Sequence, residues 1–217
     1  MVDDKNGDLS DPKAVLKERI IGTAFKAFTQ NGIKSITMDD IANMLGISKR
    51  TLYETFNDKE ELLIACLEYQ QSEMMEYSKT VLAESDNVLE IILKFYKKSI
   101  EIYHKTNKKF FEDMNKYPRV LGKMRENREK NSSKTVDFFK KGVEQGLFRD
   151  DINFAIMNIL VKEQVDILMN TNLCDEFSFF EVYESIMFVF MRGISTLKGQ
   201  EILDSFIKEY RLQNKKD

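Results

Sequence analysis

The chain has little of several residue types that would commit it to a particular chemistry. Its 217 residues include one histidine, two cysteines, two prolines and nine glycines. Regular, turn-rich β structure needs more proline and glycine than this. His104, between Tyr103 and Lys105, has no neighbouring cysteine or carboxylate pattern suited to a metal or an activated nucleophile, so it reads as a helix-end surface residue. No glycine loop of the phosphate-binding kind is present. Cys66 and Cys174 are far apart in apolar-patterned surroundings and read as reduced thiols of a cytoplasmic protein. No run of about 18 apolar residues occurs, so no transmembrane helix is expected. The acidic, polar start (Met1, Val2, Asp3, Asp4) does not read as a secretory signal. These absences argue against an enzyme, a membrane protein and a secreted protein, and no cofactor or metal is expected.

What is abundant is leucine, isoleucine, lysine, glutamate, methionine and phenylalanine, a composition suited to long helices. The expected fold is all-α. Asp11-Pro12 offers a cap followed by proline at the first helical position. Leu16, Ile20, Ala24, Ala27 and Phe28 then recur at helical spacing until Asn31-Gly32 stops the helix. Thr37 and Asp40 resemble a capping box, and Asp58 with Glu61 repeats the pattern. Between them lies the most informative stretch, residues 37–56. Ala42 is small enough for two helices to cross, and Gly46 can take the left-handed conformation of a tight turn. Ile41, Leu45, Ile47 and Leu52 are spaced to share one core, and Leu45, Leu52 and Phe56 read as core residues. Together these residues predict a helix-turn-helix whose second helix enters the DNA major groove.

The flanking sequence adds a family resemblance over roughly residues 12–70. Thr37, Ile41, Ala42, Gly46, Ile47, Ser48, Thr51, Leu52, Tyr53, Phe56, Lys59, Glu60 and Leu62 resemble the N-terminal pattern of the tetracycline-repressor (TetR) family. One position departs from it: the residue before the phenylalanine is often His or Tyr in the family, and here it is Thr55, with a shorter reach.

The DNA-contacting residues expected here are Thr37, Ser48, Lys49, Arg50, Thr51, Tyr53, Thr55 and Lys59. Ser48 caps the recognition helix or donates to a phosphate, and the helix N-terminus itself favours an anion. Arg50 suits a bidentate contact to guanine O6 and N7, and Lys49 a base or a phosphate. Thr51 can meet a thymine methyl, Tyr53 offers a ring and a hydroxyl, and Glu54 can accept from cytosine N4 or face solvent. Thr37 and Lys59, at the starts of the flanking helices, are placed to hold phosphates.

Charge is unevenly distributed. The net charge of −3 divides into −3 over residues 1–11, +2 over 12–60, −6 over 61–93, +9 over 94–141 and −5 over 142–217. The DNA-reading segment is only mildly basic, so its affinity must come from a few placed contacts and from dimerisation. The basic block 94–141 reads first as the solvated face of two helices, and second as a site for an anion or a further DNA contact.

Residues 1–11 are expected to be a disordered tail, 12–57 the DNA-binding domain and 58–217 a helical domain that begins with a connecting helix over 58–80. Further helices are expected over about 87–105, 108–116, 118–145, from Asp150 or Asp151 to Asn170, from a cap at Ser178 to Lys198 with Gly199 as its stop, and over 200–212. Glu112 and Asp113, one turn after Lys108 and Lys109, read as helix-surface pairs.

The resemblance implies that the C-terminal helices bind a small-molecule effector and form a homodimer. Candidate effector-lining residues are Phe95, Tyr103, Phe110, Phe111, Met114, Phe138, Phe139, Met157 and Gln164. Candidate dimer residues are Ile156, Ile159, Leu160, Ile167, Tyr183, Met187, Phe190, Met191 and Ile194. The implied function is a ligand-responsive regulator, by default a repressor, on a palindromic double-stranded operator. Its effector would tilt the connecting helix and unmatch the two recognition helices. A TetR-like architectural or partner-binding protein and a helical ligand carrier without DNA binding are the alternatives.

Overall fold

The computed structural model describes residues 11–130, 132–170, 176–177 and 179–214, and for residues 128, 132, 162, 165–170, 179–180 and 213–214 it describes the backbone alone. The expected tail up to residue 10, the Ser178 cap and Cys174 lie outside the described residues. Eleven helices and one isolated bridge, Phe148 with Ser195, make up the regular structure among the described residues. The chain is all-α and divides into two compact units: one of Met1–Glu76 with Lys105–Lys123, the other of Tyr77–His104 with Met124–Asp217.

The first unit begins with α1 (Pro12–Asn31), where Asp11 accepts from the Lys13 amide and Pro12 occupies the first turn. α2 (Met38–Leu45) starts at a complete capping box: the Thr37 hydroxyl accepts from Asp40 N–H while the Thr37 N–H donates to the Asp40 carboxylate. Gly46 ends α2 at φ 65°, the left-handed turn that lets the chain reverse into α3 (Lys49–Thr55). α4 (Lys59–Ala83) opens with Asp58 accepting from Glu61 N–H. Glu61 in turn accepts from Asn57 N–H, one residue earlier than in a standard capping box. Ile20, Phe28, Ile41, Ala42, Leu52, Phe56, Leu62 and Leu63 are all buried in this unit. Each such large side chain contributes about 1.5–3 kcal/mol by leaving water. Leu45 and Ile47 are only half-buried.

Two further helix starts, α6 (Lys108–Met114) and the beginning of α7 (Pro118–Lys130), belong to the same unit. The Asn107 amide donates to Thr29 O and its side chain to Gln30 O, so α6 docks on the end of α1. Phe110 meets Phe25 edge-on at 6.4 Å between ring centroids. Asp113 was expected on the helix surface and is instead buried, 7% exposed. Its carboxylate accepts from the Lys34 N–H at 2.7 Å and from Lys116 Nζ at 2.8 Å. At α7, Glu60 accepts from the Arg119 N–H at 2.7 Å, and the Arg119 guanidinium meets Asp58 at 2.8 Å.

The second unit holds α5 (Val88–His104), α8 (Ser132–Glu144), α9 (Phe154–Asn170), α10 (Phe179–Ile194) and α11 (Leu197–Asn214). Its core gathers Leu89, Leu93, Tyr96, Leu147, Phe148, Phe154, Phe188, Met191, Ile194 and Leu203. Phe139 stacks on Phe154 at 5.4 Å and packs beside Phe148 and Phe190. Helix is described on both sides of residue 131, within the single span expected over 118–145.

Two expected boundaries need correction. α9 is capped by Asn153, whose side-chain oxygen accepts from the amides of Ala155 and Ile156. Asp151 is unavailable because its carboxylate pairs with Arg149. α10 ends at Ile194, not at Lys198, because Arg149 N–H donates to Ile194 O and Thr196 N–H to Leu147 O, pulling the chain out of helix. Gly199 therefore lies inside α11, where it lets Leu147 approach: a Cβ there would stand 2.3 Å from Leu147 O.

Candidate DNA-binding surface

α3, the expected recognition helix, is built by local rules. Ser48, extended at φ −70° and ψ 148°, caps α3 by accepting from Thr51 N–H at 3.0 Å. Its hydroxyl also pairs with the Thr51 hydroxyl at 2.7 Å. Leu52 is the side chain that buries α3 against its neighbours, and Phe56 follows it into the core. Burying those two faces turns Lys49, Arg50, Tyr53 and Glu54 outward together. Tyr53 is 47% exposed.

The expected contact residues therefore fall into three groups. Ser48, Lys49, Arg50 and Tyr53 share the exposed start and outer side of α3. Thr37 is exposed at the start of α2, with its hydroxyl bound to Asp40. That hydroxyl, followed by the Thr37 amide, holds the Asp40 carboxyl below its usual pKa. Thr51, Thr55 and Lys59 are half-buried. Thr55 donates its hydroxyl to Thr51 O at 3.0 Å, a bond along its own helix. Lys59 lies over the Phe28 ring at 5.6 Å, and burial lowers its pKa against the opposing pull of Asp113 and Asp40.

Two acids on this surface were not assigned a firm role from sequence. Asp39, in the first turn of α2, pairs with Lys49. That bond raises the Lys49 pKa. Glu54 pairs with Arg50 Nε at 2.8 Å, one helical turn away. The second pair has the i,i+4 spacing that could have found it; the first joins residues ten apart across a turn.

A family model for bacterial regulatory proteins of the tetR family matches residues 20–66, the stretch that carries α2, α3 and the start of α4. In these residues the chain carries a TetR-family N-terminal domain. An HTH-type transcriptional regulator of Bacillus subtilis, YvaF, is 40% identical over 76 residues, which cover 35% of this chain and 40% of YvaF. The HTH-type transcriptional repressor KstR2 of Mycobacterium tuberculosis is 24% identical over 151 residues, covering 66% of this chain and 74% of KstR2. The KstR2 structure, that of a ketosteroid transcriptional regulator, aligns with a TM-score of 0.52 at 18% identity over 88% of this chain and 98% of that one. A transcriptional regulator from Saccharomonospora viridis, solved in complex with choline, aligns with a TM-score of 0.64 at 15% identity over 84% of this chain and 99% of that one. These structures share the TetR fold, with its N-terminal helix-turn-helix and helical C-terminal part.

The expected effector residues do not form one group. Phe110 and Met114 are buried in the first unit, and Phe111 packs edge-on to Phe110 there, because α6 docks on α1. Phe95, Tyr103, Phe138, Phe139 and Met157 are half-buried in the second unit, and Gln164 is exposed on α9, away from any interior. Tyr103 meets Tyr183 at 5.7 Å, and burial pushes its hydroxyl up to about 12. Two open grooves of about 530 and 540 Å³ adjoin the α8–α9 connection, and none of the nine residues lines either.

The expected dimer residues also divide. Ile156, Ile159 and Leu160 stand exposed on one stripe of α9, at 54%, 57% and 47%. Met191 and Ile194 are fully buried in the core of their own unit, so they cannot face a second copy. Tyr183, Met187 and Phe190 pack against the same core. The Ile167 side chain lies outside the described residues. Val189, outside the nine candidates, is exposed on α10. Among the described residues no helix is long and apolar enough to cross a membrane, and no group of three or more His, Cys, Asp or Glu is placed to hold a metal.

Proposed function

We propose that the protein is a ligand-responsive transcriptional repressor of the cytoplasm that binds a palindromic double-stranded operator as a homodimer, without catalytic activity. The observation that carries this reading is the outward-facing set Ser48, Lys49, Arg50 and Tyr53 on a capped α3. In this reading residues 12–57 read DNA and 58–217 bind effector and partner copy. Arg50 takes guanine, Lys49 takes a base or phosphate, and Thr37, Ser48, Thr51, Tyr53, Thr55 and Lys59 fix register on the backbone.

The apolar stripe of Ile156, Ile159 and Leu160 supports a second copy on α9, since one short recognition helix gives poor specificity and two spaced by about 34–36 Å match successive major grooves. Ile159→Glu is expected to convert a sedimenting dimer to monomer; a wild-type chain that sediments as monomer at micromolar concentration removes the dimer. The effector is best sought among Phe95, Tyr103, Phe138, Phe139 and Met157 of the second unit. Relatives of the same fold are named for a ketosteroid and solved with choline, so the fold does not select the ligand.

Selection of bound duplexes from a random pool tests the reading as a whole. A palindromic site is expected, and Arg50→Ala should lose discrimination at one base pair in each half-site, about 1–3 kcal/mol. No enriched site from folded protein would favour the carrier or partner-binding alternatives.

A further inference from the structure

Every cation on the outer face of the recognition helix is already engaged by an acid. Lys49 pairs with Asp39 across the turn from α2, and Arg50 with Glu54 along α3 at 2.8 Å. All four side chains are substantially exposed, so neither pair is needed to fill the core. Exposed pairs contribute little to stability. Their effect should instead appear when a polyanion approaches.

We propose that Asp39 and Glu54 are specificity-determining residues whose carboxylates occupy Lys49 and Arg50 and so suppress binding to non-cognate DNA. The inference rests on the DNA-binding reading above. On a random duplex a phosphate must displace each carboxylate, and the freed acid then faces the phosphate field. Both effects weaken the sequence-independent, electrostatic part of binding. On a cognate site the exchange is compensated. Arg50 gains two hydrogen bonds to guanine O6 and N7, and the released Glu54 can accept from a cytosine N4 amine. Carboxylates that meet only acceptors elsewhere act against the wrong sequence, which is how discrimination arises without tighter cognate binding. The mild charge of +2 over residues 12–60 is then a consequence of acids placed beside the reading cations.

The test compares wild type with Asp39→Asn and Glu54→Gln by fluorescence anisotropy, on the duplex enriched in the random-pool selection and on a scrambled duplex of equal length, over a salt series. Glu73→Gln removes the same formal charge from the exposed side of α4 and serves as control. Each of the two variants should bind the scrambled duplex about three- to tenfold more tightly, with a steeper fall of log K against log salt. Asp39→Asn should change affinity for the enriched duplex by less than about twofold, and Glu54→Gln should not tighten it, so the ratio between the two duplexes falls in both. Glu73→Gln should match wild type. The inference is overturned if scrambled-duplex affinity is unchanged, or if all three variants raise both affinities alike, which is a net-charge effect. A wild-type protein that binds neither duplex overturns the regulator reading and this inference with it.

Discussion

Replacing Asp113 by alanine should loosen the turn that leads into the helix-turn-helix, and its hydrogen bonds set the size of the effect. The carboxylate accepts from Lys116 Nζ and from the Lys34 N–H. The Lys116 ammonium is mostly exposed and returns to water at little cost. The Lys34 amide has no such option in its part-buried position, and leaving it without an acceptor costs about 2 kcal/mol. Local opening should then speed its hydrogen exchange by about 30-fold. Asp113→Asn keeps an acceptor oxygen and should lose about half as much. Burial disfavours the charged carboxylate, but the bonds from Lys116 and Lys34 together outweigh it and the pKa lies below the usual range. A depressed folded pKa means the stabilisation is complete above the unfolded value, about 3.9, and disappears as pH falls through the folded one. The gap between wild type and Asp113→Asn should therefore be constant from about pH 5 to 8 and close in stronger acid. Amide exchange at Lys34 that differs less than threefold between wild type and Asp113→Ala would show that the Asn107 bonds alone hold this turn.

Three further outcomes follow from packing. Gly199→Ala should destabilise by about 2 kcal/mol or more in urea titration, because Leu147 O is in the way, while Gly22→Ala on the open side of α1 should stabilise by up to about 1 kcal/mol. Phe139→Ala should cost about 3 kcal/mol and flatten the near-ultraviolet circular dichroism, since four aromatic rings share that cluster. Thr37→Ala removes one half of the capping box and should lower stability by about 1 kcal/mol in thermal unfolding.

Which features were legible in the sequence follows from how far each interaction reaches. The Asp11 cap, the Thr37–Asp40 box and the left-handed Gly46 are settled within three or four residues, and a short window contains them whole. The α9 cap was also local, yet it was misplaced by two or three residues because Asp150, Asp151 and Asn153 are all competent caps. What decided among them is the pairing of Asp151 with Arg149. The end of α10 depends on carbonyls and amides of residues 147 and 149, about 45 positions earlier, so no periodicity could report it. Asp113 shows the same limit: its spacing from Lys109 suggests a surface pair, while its partner lies 79 residues back at Lys34.

The two sets of C-terminal residues divide for a related reason. α10 is apolar around most of its circumference, and such a helix does not say which side meets its own core. The core of its own unit took the side with Met191 and Ile194, leaving Val189 in solvent. The aromatic residues of α6 and α8 look alike in sequence, but α6 is committed to α1 by Asn107, Phe110 and Asp113. The recognition surface escaped this ambiguity because Leu52 and Phe56 must be buried, and in a seven-residue helix that choice alone points Lys49, Arg50 and Tyr53 outward. An exposed face confined to one short helix can be placed from local rules. A cavity or an interface assembled from several helices is set by which helix covers which, and that is tertiary information.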